Sequence, residues 1–149
     1  MYYWWMKCAF CEIPEIKERT IVENSLAFAF PTNIPVVIGH TLICPKRCVA
    51  KYEDMTKEEK EAVEDLRLRI CGALKKSFGA EGFNFAWNDG KDCGQSVPHF
   101  HLHILPRKAG DAGIYEYEPR KFLYRPGERP ATPEKELKEV AKIISECIY

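Results

Sequence analysis

The chain has 149 residues, 46% of them hydrophobic, and its 22 basic side chains are balanced by 22 acidic ones. That suffices for one apolar core, and zero net charge removes the global electrostatic case for wrapping a nucleic acid polymer or adsorbing to an anionic membrane; no apolar run reaches the roughly 18 residues of a membrane span. The seven cysteines (Cys8, Cys11, Cys44, Cys48, Cys71, Cys93 and Cys147) are odd in number and scattered, and the N-terminus lacks the basic region and cleavage site of a signal peptide, so reduced thiols and a cytoplasmic address are expected.

Residues 1–19 read as irregular or weakly helical, with an aromatic start (Tyr2, Tyr3, Trp4, Trp5) suited to packing on a subunit partner. Strand-like composition follows at 20–22 and 26–30, split by Glu23-Asn24. The loop P-T-N-I-P leads into an apolar run over 36–44, interrupted by Gly39-His40 and closed by Pro45. The clearest helix spans 57–78. Thr56 and Glu59 form a capping box, acids come early and Lys75/Lys76 late, and Val63, Leu66, Ile70, Leu74 and Phe78 make one stripe. Two strands, 82–88 and 97–105, are joined by D-G-K-D-C-G-Q-S. Between 106 and 131 no pattern is strong, and Arg107, Lys108, Arg120, Lys121, Arg125 and Arg129 there could attract a polyphosphate, with Glu116, Glu118 and Glu128 interleaved. A last helix over 133–148 opens with Thr132 as cap and Pro133 at its first position. The whole reads as one α+β domain over 1–149, an antiparallel sheet with one main helix packed on it and a C-terminal helix. Its core covers about 8–111 and its C-terminal extension about 112–149.

Three of the four histidines fall in P-H-F-H-L-H-I-L, at His99, His101 and His103. On a strand these would share a face, with Phe100, Leu102 and Ile104 on the other, and stand roughly 6.6 Å apart. Two chemistries suit such a row: a three-histidine metal site, or attack by one imidazole that is oriented through its second nitrogen. Gly94, Gln95 and Ser96, following Asn88-Asp89-Gly90, supply donors and pliant backbone for a phosphate. No carboxylate flanks the row closely, which favours phosphate chemistry over a histidine-only metal catalyst.

The segment N-D-G-K-D-C-G-Q-S-V-P-H-F-H-L-H-I-L resembles the signature of the histidine triad family, His-φ-His-φ-His-φ-φ with φ apolar. F-A-F-P-T-N-I-P-V-V-I-G-H-T-L-I-C-P-K resembles it too, and the similarity extends from about Cys8 to Asp111. The resemblance implies a hydrolase that cleaves a nucleotide conjugate at its α-phosphate, a dinucleoside polyphosphate or a nucleoside phosphoramidate. His101 would be the nucleophile of a covalent nucleotidyl-histidine intermediate, and His103, His99, Gln95 and Ser96 its catalytic companions. Nucleotide contacts would come from Asn88, from Thr32 and Asn33 on the ribose side, and from Phe30 and Leu42 around the base. L-P-R-K-A-G-D resembles the branch acting on diadenosine polyphosphates, whereas C-A-F-C and G-Q-S resemble the phosphoramidate branch.

The resemblance also implies a homodimer and, from relatives that bind metal, a closed structural zinc site of Cys8, Cys11, His40 and His99; no organic cofactor is expected. Alternatively the thiols are simply buried, and His40 and His99 belong to the histidine hydrogen-bond network. Two other functions fit the same residues: a nucleotidyl transferase or phosphorylase, and a zinc-stabilised nucleotide-binding module with little turnover.

Overall fold

A computed structural model describes residues 8–111 and 130–149. Two short helices, α1 (Ala9–Glu12) and α2 (Pro14–Glu18), precede strands β1 (Val22–Glu23), β2 (Ala27–Pro31) and β3 (Thr41–Pro45). The long helix α3 (Lys57–Phe78) leads to β4 (Gly82–Ala86) and β5 (Leu102–Arg107), and α4 (Glu134–Ser145) follows near the C-terminus. The strands form one antiparallel sheet in the order β1-β2-β3-β5-β4.

Register sorts the side chains onto two faces. Phe30 lies opposite Leu42, Leu42 opposite His103, and His103 opposite Ala86, so these four share one face. The other face presents Ala27, Ala29, Ile43, Leu102 and Ile104 to Val63, Leu66, Ile70 and Leu74 of α3 and to Ala141 and Ile144 of α4. A second, smaller cluster covers the histidine side: Ile16, Phe30, Leu42 and Cys44, with Phe10 and Phe28 packed against it. The long helix therefore guards one face, and the short N-terminal helices guard the other.

The capping box is present: Glu59 N donates to Thr56 Oγ1 at 3.1 Å, and Thr56 N donates to Glu59 Oε2 at 2.9 Å. Glu59 does more than cap. Its buried carboxylate accepts a bidentate pair from Arg47, at 2.7 and 2.8 Å, and Arg47 Nη2 also reaches Asp54 O. The pair ties the segment leaving β3, residues 46–54, to the first turn of α3. At the helix end Gly79 adopts φ 65° and closes the last turn onto Leu74 O, a conformation that a side chain would strain.

Three expectations change. The segment 36–40 is a loop, and the strand begins only at Thr41. The histidine strand begins at Leu102, after a bend over 97–99, so His99 and His101 lie on its approach. Thr132 does not cap α4: Pro133 holds the N-cap position, and Thr132 N donates instead to Asn33 O at 2.7 Å. The C-terminal helix is anchored through Arg19, which is buried, donates to Pro31 O, lies over the Phe30 ring and pairs with Glu134. The aromatic start and the basic and acidic residues of 112–129 lie outside the described residues. Among the described residues no helix is long and apolar enough to cross a membrane.

Thr56→Ala should cost about 1 kcal/mol, read from urea unfolding at neutral pH. The Arg47 hydrogen bonds hold the Glu59 carboxyl below its ordinary 4.5. A depressed folded-state value stabilises the fold above 4.5 and loses that contribution as pH falls through the lowered value. The acid limb of wild-type stability should accordingly be steeper than that of Glu59→Gln; equal slopes would refute this linkage.

Candidate active site and metal centre

His101 is buried, 6% exposed, and its Nδ1 lies 2.8 Å from the backbone oxygen of His99. A carbonyl can only accept, so the hydrogen sits on Nδ1, and Nε2 keeps its lone pair. Burial pushes the ring's pKa below 6.5; the bond to the His99 carbonyl opposes that shift, and the charge of His99 adds to it. The site thus holds a neutral imidazole with one nitrogen fixed and the other aimed.

A second chain of hydrogen bonds sets the neighbouring ring. Val36 N donates to His40 Nδ1 at 3.1 Å, which puts the His40 hydrogen on Nε2 for a neutral ring. His40 Nε2 meets His103 Nδ1 at 2.9 Å. His103 Nδ1 is therefore the acceptor, and its Nε2 carries the remaining hydrogen. The backbone at Val36 selects the tautomer of a ring two residues removed in this relay. Gly39 makes the arrangement possible. At φ 87° any Cβ there would lie 3.0–3.2 Å from Leu74, Phe78 and Pro106, so only glycine lets the loop settle on α3 and deliver His40 to the sheet. The His101 and His103 rings stand 5.0 Å apart, edge to face, closer than an extended strand alone would set them.

His99 turns the other way. It is fully buried, and Nε2 lies 2.6 Å from Pro45 O, so it donates there and leaves Nδ1 as a lone pair. Nδ1 points at Cys8 Sγ, 3.3 Å away, and Cys11 Sγ, 3.6 Å away. With Cys48 these form a group whose ligand atoms all lie within 4.8 Å of one another. Across a tetrahedral zinc, nitrogen and sulfur ligands stand roughly 3.5 Å apart, which the His99 distances match. A backbone carbonyl holding the far nitrogen of a metal-binding imidazole is the expected outer support. Cys11 is pushed up to about 12 and Cys48 is also raised, in both cases first by burial and then by Cys8. Loading this group with a metal would therefore release protons.

The expected ligand set needs one correction: His40 does not join it, and Cys48 does. His40 precedes β3, whereas His99 and the cysteines gather beyond its far end at Pro45. Five residues of extended chain separate the two by about 16 Å. The signal for Cys48 in the sequence is its position three residues past Pro45, just beyond the end of β3.

The remaining candidates lie on several elements. Phe30 and Leu42 are buried side by side on the histidine face. Thr32, buried, accepts from Ile34 N with its hydroxyl, and Asn33 is exposed at the same turn. Asn88 is buried at the end of the β4 side. Gln95 braces rather than reaches out: Oε1 accepts from Gly90 N at 2.9 Å and Nε2 donates to Ala50 O at 2.8 Å. Ser96 is exposed beside it. Arg107 is engaged by Asp111 in a two-pronged pair, and Lys108 donates to Phe78 O. Phe10, which the sequence reading overlooked, stands edge-on to the His101 ring, 5.1 Å between centroids.

The HIT domain family model matches residues 13–110. The chain belongs to the HIT domain family. The HIT chain is 36% identical to a bis(5'-adenosyl)-triphosphatase of Dictyostelium discoideum, covering 83% of each. It superposes on a Hit-like protein of Bartonella henselae at TM-score 0.72 and 29% identity, over 87% of this chain and 86% of that one. A Zn-bound histidine triad protein of Mycobacterium smegmatis matches at TM-score 0.70 and 27% identity, over 95% and 94%.

Metal analysis distinguishes the two ligand sets. Wild type and His40→Ala should each carry about one zinc per chain, whereas Cys48→Ala should lose it on dialysis against a weak chelator. Zinc retained in Cys48→Ala and lost in His40→Ala would reverse the assignment.

Proposed function

We propose that this HIT protein hydrolyses nucleotide conjugates of the dinucleoside polyphosphate class through a covalent intermediate on His101. Its hydrolase character rests on family membership and on the triphosphatase relative that spans 83% of the chain. The observation that carries the mechanism is the His101 tautomer: Nδ1–H is committed to the His99 carbonyl, and the buried ring is kept uncharged.

His101 Nε2 attacks the α-phosphorus, forming the N–P bond as the P–O bond to the rest of the conjugate breaks. His103 offers its Nε2–H to a phosphoryl oxygen or to the departing oxygen, a donor in place before charge develops there. Water then attacks the same phosphorus, the N–P bond breaks toward His101, and a nucleoside monophosphate leaves. Gln95 holds the 88–96 turn against Ala50, so the amides of that turn can face the phosphate from a fixed frame. Phe30 and Leu42 would flank the base, and Thr32 and Asn33 the sugar.

Cys8, Cys11, Cys48 and His99 would hold a structural zinc, whose chemistry is cross-linking rather than catalysis. Seven cysteines without a disulfide suit a reducing, cytoplasmic setting. A homodimer finds support in β4, an edge strand with Phe85 exposed on it.

Single-turnover mixing with diadenosine triphosphate labelled at the α-phosphates tests the chemistry. Acid-quenched wild type should carry label on protein, and His101→Ala should carry none while turning over at least about 10⁴-fold more slowly. Undiminished label on His101→Ala would refute the assignment. Nucleoside diphosphate appearing when inorganic phosphate is supplied would mark a transferase instead.

A further inference from the structure

The helical turn that carries the two cysteines also carries a side chain that the metal itself does not need. Phe10 sets its ring 5.1 Å from His101 at 85°, 5.9 Å from His99 and 5.4 Å from Phe30. It therefore touches both the nucleophile and the apolar cluster beside it. Its support is slight. It belongs to α1, four residues long and without a buried residue, far below the length at which a helix persists alone. Besides the packing of Phe10, α1 is held by Cys8 at its N-cap and Cys11 within it, both against His99 Nδ1. His99 supplies a second route to the same place, since its ring joins the sulfur group while its carbonyl holds His101.

We propose that metal loading and nucleotide binding are coupled in this chain, with Phe10 as the positioning residue between them. A zinc ion held by Cys8, Cys11, Cys48 and His99 orders α1 and seats Phe10 against His101 and Phe30. A nucleotide bound at His101 then meets a finished wall instead of a mobile one. Because coupling between two sites is reciprocal, the bound nucleotide tightens the zinc by the same factor. This rests on reading the metal as zinc and the substrate as a nucleotide, and the measurements keep the three ideas apart.

The full chain is stripped of metal, and adenosine monophosphate is titrated calorimetrically with and without one equivalent of zinc. Zinc affinity is measured against a chromophoric chelator with and without the nucleotide. In wild type each ligand should tighten the other by at least about fivefold, with equal factors. Phe10→Ala should bind zinc as wild type does while its coupling factor falls toward one, and Phe10→Tyr should restore it. Should Phe10→Ala fail to fold, the wild-type pair of titrations still decides. Equal nucleotide affinity with and without zinc, in protein that binds both, overturns the coupling alone. Full coupling retained in Phe10→Ala overturns the part given to that ring. Failure to bind zinc removes the metal reading and the coupling with it; zinc binding without nucleotide binding in either state removes the nucleotide reading in the same way.

Discussion

The hydrogen bond from His101 Nδ1 to the backbone oxygen of His99 is the constraint on which the site depends. Its net stabilisation is about 1 kcal/mol, a minor term in the fold. Its importance is that it chooses a tautomer. With the proton committed to a carbonyl, the lone pair of the neutral ring can only be on the other nitrogen, and burial favours the uncharged form. The same residue that offers the carbonyl is fixed at both ring nitrogens, by Pro45 O and by the sulfur group. Rigidity is thus passed from a strand end and a cysteine loop into one backbone oxygen.

The sheet separates stability from chemistry. One face is closed by α3 and α4 over aliphatic side chains, where packing needs no polar atoms. The opposite face must remain open enough for a ligand, so it is covered by α1 and α2, which together are shorter than half of α3. Polar groups on that side are bound in pairs: Val36 with His40 inside one loop, and His40 with His103 and Gln95 with Ala50 across distant parts of the chain. Loop geometry, more than strand geometry, sets the histidines.

Much of this could be read in advance. The long helix needed only a local stripe and a capping box, and its bounds matched. The HIT motif announced the family because three histidines at alternate positions are rare and chemically expensive to bury. What escaped reading was non-local. Nothing near residue 99 says that the chain bends before the strand, and the bend is what sends His99 to the cysteines while His101 and His103 stay together. The choice of Cys48 over His40 depends on which end of β3 faces the N-terminal loop, a property of sheet order. Phe10 was overlooked for a similar reason: a lone aromatic between two cysteines has no periodicity to give it away.

Arg19, at the C-cap of α2, uses its guanidinium to join the end of β2, through Pro31 O and the Phe30 ring, to Glu134 of α4. A cation this deeply enclosed is tolerable only while its counter-charge is present. The C-terminal helix is consequently no detachable appendage. Trimming the chain before residue 134 would remove the counter-charge of a buried cation that lies over the Phe30 ring, so damage at the tail would be felt on the histidine face of the sheet. The arginine and the glutamate are thus a linked pair of positions in any grafting or domain-recombination experiment on this chain.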